Sequence, residues 1–331
     1  MAMRIVLLGG SGFLGQAVLR QLHAWGGERE AHCLEHRSPV PGYDFVRRQQ
    51  GTLASMPASL LPSGPHVVVH CASKQIDSDG RGFGENRRAV DRLLSLVGPH
   101  TRAIVYASSF SVYGDGPQVA VTEAAPLKPQ TTLAKSRAEC EKRLLSGATA
   151  AGCEVAVLRA RFVVGQGDRH FLPGLAKLIR ARVRIGDGAQ RFSVIDVDDY
   201  ARVILSLCGR YLDAGYSASG EPQIFNVGYR TPVAFNEIAN VLCQQGGWPP
   251  ARYPVPLSKP LIRGLDHLPL ASARQLAERL QLLGYDHFGV VDRLASVLDS
   301  PLLERDPREA VQASASLLLS PDSVFKHSRS F

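Results

Sequence analysis

A glycine-rich turn between an apolar strand and a helix, at the start of the chain, most constrains what this sequence can fold into. Residues 4–8 are an apolar run of strand length, and residues 16–22 carry apolar side chains at helical spacing. The turn between them places Gly9, Gly12 and Gly15 at intervals of three residues. A buried strand, a glycine turn and a helix start are typical of the unit that holds the phosphates of a dinucleotide. The sequence therefore predicts a nucleotide site in this turn.

The predicted contacts of the turn follow from backbone geometry. Gly9 allows the tight turn, Gly12 lets the pyrophosphate approach the backbone, and Gly15 lets the helix pack on the strand. The first N–H groups of the helix are unpaired and carry a partial positive charge that favours an anion. An ordinary turn is the alternative, but the strand and the helix on its two sides disfavour it. We expect the cofactor-binding residues of the turn to be Gly9, Ser11, Gly12, Phe13, Leu14 and Gly15.

Composition and charge exclude several function classes. The chain has 331 residues, 45% hydrophobic and 21% charged, which is typical of a soluble globular protein with one large domain or two closely packed ones. The net charge is +8, but Lys and Arg are spread along the chain without a basic run. We therefore expect small anionic ligands and no nucleic acid. No apolar run reaches membrane-spanning length, which predicts no membrane partner.

The six cysteines are scattered along the chain without a Cys-x-x-Cys pair. This spacing predicts reduced thiols and no metal site, and with them a cytoplasmic setting. The sequence passes almost directly into its first strand, so we expect no secretory signal.

Strands alternate with helices over most of the chain. Apolar runs of strand length begin at residues 67, 103 and 155, and the segments between them have helical periodicity. Because such alternation requires right-handed crossovers, the sequence predicts an α/β fold with a doubly wound parallel sheet. Asp198 or Asp199 is expected to cap a helix over residues 200–208.

Two motifs resemble the extended and atypical branches of the short-chain dehydrogenase/reductase superfamily, the NAD-dependent epimerase/dehydratase type. The first is the glycine turn with Phe-Leu between its last two glycines, and the second is Ser-Ser-Phe-Ser-Val-Tyr-Gly at residues 108–114. The resemblance implies a Rossmann sheet with a smaller C-terminal substrate-side domain. The expected boundaries are 1–165 for the cofactor domain, with 193–228 returning to it, 166–192 and 229–309 for the small domain, and 310–331 for a mobile tail.

The resemblance also implies site residues at the carboxyl ends of two strands. Ser109 matches the family's catalytic serine or threonine, which hydrogen-bonds the substrate oxygen during hydride transfer. A serine that only caps the turn after the strand is the alternative. Ala72, Ser73 and Ser108 are expected to lie beside the cofactor.

The Tyr-x-x-x-Lys pair of the family is incomplete in this chain. Lys135 matches the lysine, which is implied to hold the nicotinamide ribose, but Thr131 stands where the tyrosine is expected. A threonine hydroxyl has no accessible ionised form near neutral pH and is too short to replace a phenol. Tyr113 is then the nearest candidate acid/base. The alternative is that the site does not run this chemistry. For Lys135, the alternative to ribose binding is a solvated lysine of the first helical turn.

The end of the second predicted strand is expected to select the cofactor. Glu35 there would bind the ribose hydroxyls of NAD, whereas Arg37 would accommodate the 2′-phosphate of NADP. We expect NADP or NAD, with a preference for NADP through Arg37, because the Arg-Ser-Pro ending looks like that of atypical members that use the phosphate. Surface charge without a ligand is the alternative.

The implied function is an NAD(P)-dependent oxidoreductase or an epimerase/dehydratase-type enzyme that acts on a small molecule, as a monomer or a homodimer. Phe162 and Phe192 stand where sugar-nucleotide enzymes of the family carry a substrate-binding asparagine and arginine, which counts against a sugar-nucleotide substrate. The second hypothesis is a non-catalytic NAD(P)-binding scaffold, assembly or sensor protein. The missing tyrosine favours this second hypothesis, and Ser109 and Lys135 oppose it.

Overall fold

The protein is described by a computed structural model that covers residues 2–75, 77, 80, 82–216, 223–256, 277, 280–298 and 301–320. In chain order, the strands are β1 (Met3–Leu8), β2 (Arg29–Glu35), β3 (Val46–Gln50), β4 (His66–His70), β5 (Thr101–Ser109), β6 (Gln118–Val121), β7 (Glu154–Ala160), β8 (Phe162–Val164), β9 (Val183–Ile185), β10 (Arg191–Phe192), β11 (Val194–Asp196), β12 (Gln223–Val227), β13 (Val233–Ala234), β14 (Tyr253–Val255) and β15 (His287–Gly289). The α-helices are α1 (Phe13–His23), α2 (Gly84–Leu94), α3 (Thr132–Ala150), α4 (Phe171–Arg180), α5 (Val197–Leu212), α6 (Phe235–Gly246), α7 (Asp292–Ala295) and α8 (Pro307–Leu319).

A sheet of seven parallel strands forms the centre of the molecule. Its order is β12-β7-β5-β4-β1-β2-β3, so the chain winds in one direction from β1 to β3 and in the other from β4 onward. The reversal lies between β1 and β4, and the carboxyl ends of the strands at such a point are where open α/β sheets form their binding crevice. The predicted doubly wound parallel sheet is confirmed.

Helices cover both faces of this sheet, which is why its strands read as nearly continuous apolar runs. On one face, α1 and α5 pack against the sheet and against each other, with Val18 and Val203 fully buried. On the other face, α2 and α3 enclose a second cluster that includes Leu93 and Leu144. Two hydrophobic layers therefore hold the carboxyl edge of the sheet in a fixed position.

Smaller sheets lie in the C-terminal part of the fold, as expected for the substrate side. One has four strands in the order β13-β10-β15-β6, and two pairs are formed by β11 with β8 and by β14 with β9. The strand β6 reaches this part from the first half of the chain, between β5 and α3. The exact domain boundaries given above stay a prediction.

The N-terminus of α5 is capped two or three residues earlier than the sequence suggested. The carboxylate of Asp196 accepts a hydrogen bond of 2.8 Å from the N–H of Asp198, and the helix begins at Val197. The prediction that Asp198 or Asp199 is the cap was wrong, because both lie inside the first helical turn. Asp199 instead accepts hydrogen bonds from Tyr229 and Arg305.

The predicted mobile tail was wrong for residues 310–319. They belong to α8, which packs against α6 and begins at a side-chain cap by Asp306. Ala310, Val311 and Ala315 are fully buried, because their small side chains form one helical stripe that allows close approach. Residues 321–331 lie outside the described residues. Among the helices that are described, none is long and apolar enough to cross a membrane.

Candidate active site

The glycine turn after β1 has the backbone that the sequence predicted. Gly9 has a φ of +96°, and its carbonyl accepts a hydrogen bond of 2.9 Å from the N–H of Gly12. A Cβ at Gly15 would overlap the carbonyl oxygen of Gly9, and a Cβ at Gly9 would lie 2.8 Å from the nitrogen of Ala72. Since neither position tolerates a side chain, both glycines are required for the packing of β1, α1 and the end of β4.

The N-terminus of α1 is free to bind an anion. Its N-cap is Gly12, which has no side chain to accept from the helix N–H groups, and its first turn, which includes Phe13 and Leu14, holds no acidic residue. Ser11 and Gly12 are not buried. The helix therefore presents uncapped donors and the positive end of its dipole at the carboxyl edge of the sheet. This arrangement fits the diphosphate of a dinucleotide.

The loop after β4 is held against the same crevice. The side chain of Asn86 accepts a hydrogen bond of 2.7 Å from the N–H of Lys74 and donates one of 3.2 Å to its carbonyl. This clamp positions Ala72 and Ser73, which are half-buried, next to the glycine turn. Asn86 also donates to Ser136 of α3, at 3.4 Å, so α2 and α3 are linked at this loop.

The two candidate cofactor-selecting residues differ in their partners. The carboxylate of Glu35 accepts hydrogen bonds from the N–H of Val40, at 3.0 Å, and from the side chain of Gln50, at 2.7 Å. Arg37 is exposed, and no ion pair or hydrogen bond of its side chain is found within the described residues. The carboxylate is thus engaged in holding the loop after β2, whereas the guanidinium is available.

Ser109 ends β5 and is half-buried. Its hydroxyl oxygen accepts a hydrogen bond of 3.2 Å from the N–H of Ser111 and so caps the short 3₁₀ helix Phe110–Tyr113. This is the capping role that the sequence left as an alternative. Because the hydroxyl acts there as an acceptor, its own O–H remains able to donate to a ligand.

A buried polar network crosses the sheet next to Ser109. Ser108, Arg159 and Asn226 occupy paired positions on β5, β7 and β12. Ser108 donates to the carboxylate of Glu141 from α3, which also forms a 2.6 Å ion pair with Arg159. Glu141 and Arg159 are almost fully buried, so each requires the other to offset the loss of water. Ser108, which was expected beside the cofactor, uses its O–H donor in the hydrogen bond to Glu141.

The hydroxyl of Tyr113 belongs to the same network. It donates to Asn226 at 2.8 Å and accepts from Arg159 at 2.9 Å. Burial raises the pKa of Tyr113, and the adjacent Arg159 opposes that rise. The O–H donor and the oxygen acceptor of the Tyr113 phenol are therefore both used in hydrogen bonds inside the protein.

The start of α3 turns a different cation inward from the one predicted. Thr131 and Lys135 are both exposed. Arg137, two residues later, is half-buried and donates to the hydroxyl of Ser111 at 3.3 Å. Burial lowers the pKa of Arg137, while the phenols of Tyr106 and Tyr200, from opposite faces of the sheet, act on it in the other direction. Arg137 therefore reaches over the carboxyl edge, next to the loop that follows Ser109.

A second arginine lies at the same edge. Arg161 follows Ala160, which pairs with Ser109 across β5 and β7. The Nε of Arg161 is buried without a hydrogen-bond partner among the described residues, and the guanidinium carbon lies over the ring of Phe162, 5.2 Å from its centre. Burial lowers the pKa of Arg161 to about 10; the charge of Asp115 opposes this effect, and that of Arg137 adds to it. Sequence reasoning missed both arginines as site residues.

The described residues contain no cluster of His, Cys, Asp and Glu suited to a metal ion. All six cysteine thiols are free. The fold defines an α/β protein with a doubly wound parallel sheet, whose glycine turn and uncapped helix N-terminus lie at the switch point.

The chain belongs to the NAD dependent epimerase/dehydratase family, whose model matches residues 5–228. It is 29% identical over 263 residues to the 2-alkyl-3-oxoalkanoate reductase of Stenotrophomonas maltophilia, which covers 75% of this chain and 77% of the relative. It is 24% identical over 277 residues to the decarboxylating sterol-4-alpha-carboxylate 3-dehydrogenase of Schizosaccharomyces pombe, covering 76% of this chain and 77% of the relative. The predicted family is confirmed.

Solved structures confirm the fold. The UDP-glucuronic acid 4-epimerase of Bacillus cereus in complex with NAD superimposes with a TM-score of 0.72 at 16% identity, over 95% of this chain and 98% of that one. A UDP-galactose 4-epimerase gives a TM-score of 0.67 at 23% identity, over 95% and 97%.

Proposed function

We propose that this protein is an NAD(P)-dependent oxidoreductase that acts on a hydroxyl-bearing or carbonyl carbon of a small molecule. The observation that carries the proposal is the convergence of the uncapped N-terminus of α1, the loop at Ala72 and Ser73, and Ser109 at one crevice. When bound, the nicotinamide ring supplies or accepts a hydride. The glycine turn would hold the diphosphate through backbone N–H groups, and no side chain obstructs it.

Ser109 is proposed to hold the substrate oxygen. Its hydroxyl oxygen is fixed by the N–H of Ser111, which leaves the O–H pointing away from that donor. A donor placed in this way stabilises negative charge that develops on the substrate oxygen during reduction of a carbonyl. The capping role and the catalytic role are compatible, because the cap uses the hydroxyl oxygen as an acceptor and the catalytic role uses the O–H as a donor.

We further propose that Arg137, and not Lys135, is the cation at the nicotinamide end of the site. Arg137 contacts the loop that carries Ser109, whereas the side chain of Lys135 is exposed. Counting back one helical turn from Arg137 gives Leu133 in place of the family's tyrosine. This register and the one based on Lys135 agree on one point, since neither Leu133 nor Thr131 supplies a phenol.

The group that transfers the proton is then one of two residues near Ser109. Tyr113 is the candidate that the sequence provides, although its hydroxyl is engaged with Arg159 and Asn226. Asp115 is the other, because burial raises the pKa of its carboxyl toward the range useful for acid/base catalysis. The engaged phenol is also the specific observation that favours the second candidate function, a cofactor-binding protein without turnover.

The proposed cofactor is NADP in preference to NAD. The support is the free guanidinium of Arg37 beside an acid, Glu35, whose two oxygens are both engaged. As to the substrate, two of the curated relatives are named for a 3-oxoalkanoate and a sterol carboxylate, and another is named for dTDP-glucose. Phe162 and Phe192 are buried and pack edge to face within the core, which supports a substrate other than a sugar nucleotide.

The first experiment measures cofactor binding by fluorescence titration of NADPH and NADH. Gly12→Val should abolish binding, because its side chain would fill the space of the diphosphate. Gly26→Val is the matched control, since a Cβ at Gly26 meets no neighbouring atom. Equal binding by Gly12→Val and the wild type would place the cofactor elsewhere.

The second experiment separates the enzyme from the scaffold. A panel of ketones is incubated with C4-deuterated NADPH, and deuterium in the alcohol product is measured. We expect transfer by the wild type and a loss of about 10²-fold in Ser109→Ala, as for the removal of one donor to a developing oxyanion. Cofactor binding without transfer to any substrate of the panel would favour the scaffold.

A further inference from the structure

Two guanidinium groups at the carboxyl edge, those of Arg137 and Arg161, form no ion pair with any carboxylate of the described residues; Glu141 acts on Arg137 only through space, because it is paired with Arg159. Arg137 makes one hydrogen bond, to the neutral hydroxyl of Ser111, and Arg161 stacks on Phe162 with its Nε unpaired. No carboxylate of the described residues lies within 4 Å of either group. Both arginines stay charged at any physiological pH.

Partial burial of these two guanidinium charges costs folding free energy, because they lose water. The neighbouring charged groups do not offset this loss in full. The charge of Arg137 further disfavours the charged form of Arg161 and so adds to the lowering of its pKa. Asp115 acts on Arg161 through space without forming an ion pair. His287 also faces Arg161, but burial lowers its pKa to about 3, so it is neutral and adds no charge. The local net charge of these four groups is therefore about +1, because Asp115 offsets one of the two arginines.

Arg159 differs from Arg161 in having a carboxylate partner, which shows that this fold is able to pair a buried arginine. Arg159 lies two residues before Arg161 and has a bidentate partner in Glu141, with distances of 2.6 Å and 3.2 Å from Nη2 and Nε. Among the residues that the structure describes, Arg161 has no such partner. A charge that is retained at a crevice without a partner is suited to a ligand that brings the opposite charge.

We propose that Arg161, assisted by Arg137, binds a carboxylate group of the substrate beside the oxygen that Ser109 holds. This inference rests on the proposed oxidoreductase function. Ser109 and Ala160 are paired on neighbouring strands, which are roughly 5 Å apart, and Arg161 is the next residue. A guanidinium at that position reaches a carboxylate one or two carbons from the oxygen-bearing carbon. The substrate class is therefore a hydroxy or oxo carboxylic acid.

A monoanion fits this site better than a phosphate. Guanidinium groups bind both anions in a bidentate manner, so geometry alone does not choose. The carboxylate of Asp115 favours the lower charge, because a phosphate dianion would be repelled by it more strongly and would exceed the local charge of about +1. The test therefore includes inorganic phosphate as a separate arm.

The test is titration calorimetry of the full-length protein, saturated with NADP⁺ or NAD⁺, with 3-hydroxybutyrate, 3-hydroxyoctanoate, their methyl esters and inorganic phosphate. We expect at least one carboxylate to bind, its ester to bind at least tenfold more weakly, and Arg161→Gln to lose at least tenfold in affinity for the acid. Arg102→Gln, at the exposed amino end of β5, is the control and should bind as the wild type does.

Several results would overturn the inference. They are equal binding of acid and ester, unchanged affinity in Arg161→Gln, preferential binding of phosphate, or no binding of either acid by a wild type that binds the cofactor. Separate NAD(P)H titrations of each variant distinguish this failure from that of the proposed function. If the wild type binds no cofactor, the proposed oxidoreductase function fails. If a carboxylate nevertheless binds in a manner that depends on Arg161, the anion site itself is still supported.

Discussion

Replacing Arg161 with methionine should make the ligand-free protein more stable. In the absence of an anion, Arg161 keeps its charge in a partly buried position with an unpaired Nε. Methionine has a similar length and flexibility, so it can fill the same space against Phe162 without bringing a charge. The substitution removes a cost and leaves most of the apolar contact in place.

The size of this effect follows from the pKa of Arg161, which burial lowers to about 10. At about 1.4 kcal/mol for each pKa unit below the ordinary arginine value, ionised Arg161 costs about 3 kcal/mol. Because the folded-state pKa is lowered, the full cost is present at any pH below 10 and disappears only as the pH rises above that value. Solvent at the exposed part of the side chain and the lost cation–π contact reduce the net gain to about 1–2 kcal/mol. For a chain of this length, we expect a rise in Tm of about 1–3 °C.

The assay is thermal unfolding of both proteins at pH 7.5 without cofactor, followed by circular dichroism. Arg159→Met is the matched comparison, and it should have the opposite sign. It leaves Glu141 buried without its ion-pair partner, at a cost of about 3–5 kcal/mol. A Tm of Arg161→Met that falls as far as that of Arg159→Met would refute the reasoning, since it would show that Arg161 is satisfied inside the protein.

Three other substitutions test the site. Gly15→Ala should lower the Tm and abolish NADPH binding, because the added Cβ would overlap the carbonyl of Gly9; a variant that folds and binds normally would contradict the turn geometry. Arg37→Ala should weaken NADPH binding about tenfold in fluorescence titrations and leave NADH unchanged, and a loss for both cofactors would point to a structural role. Tyr113→Phe should lower stability by about 1–2 kcal/mol in denaturant unfolding, since two hydrogen bonds are lost. A fall in kcat of about 10²- to 10⁴-fold in the same variant would identify its phenol as the acid/base, and an unchanged kcat would shift that role to Asp115.

The sequence predicted correctly those features that depend on local backbone conformation or on a simple pattern of apolar residues. The turn at Gly9–Gly15 was readable because a positive φ and a missing Cβ leave glycine as the only residue that fits. The parallel sheet was readable because both of its faces are covered, which makes each strand apolar throughout. In these places one residue type or one simple pattern carries the information.

Features that depend on distant partners were not predictable in the same way. The small residues at 310–315 read as a low-complexity tail, and only the groove along α6 makes their stripe a packing surface. Asp196 was overlooked as a cap because two further aspartates follow it, and the sequence alone does not show which carboxylate faces the N–H of Asp198. The pairing of Glu141 with Arg159 likewise joins a helix and a strand that the sequence treats separately.

For the start of α3, the motif spacing selects Lys135, whereas the periodicity of buried positions along the helix selects Arg137. Ala134, Glu141 and Leu144 are fully or almost fully buried and lie on one stripe of α3. Arg137 falls on that stripe, three residues after Ala134 and four before Glu141, whereas Lys135 falls outside it. A cation that reaches the crevice from α3 must therefore extend from position 137, because position 135 points to solvent. The periodicity was present in the sequence, but the familiar spacing of a lysine four residues after a hydroxyl drew attention to Lys135, on the exposed face of the helix.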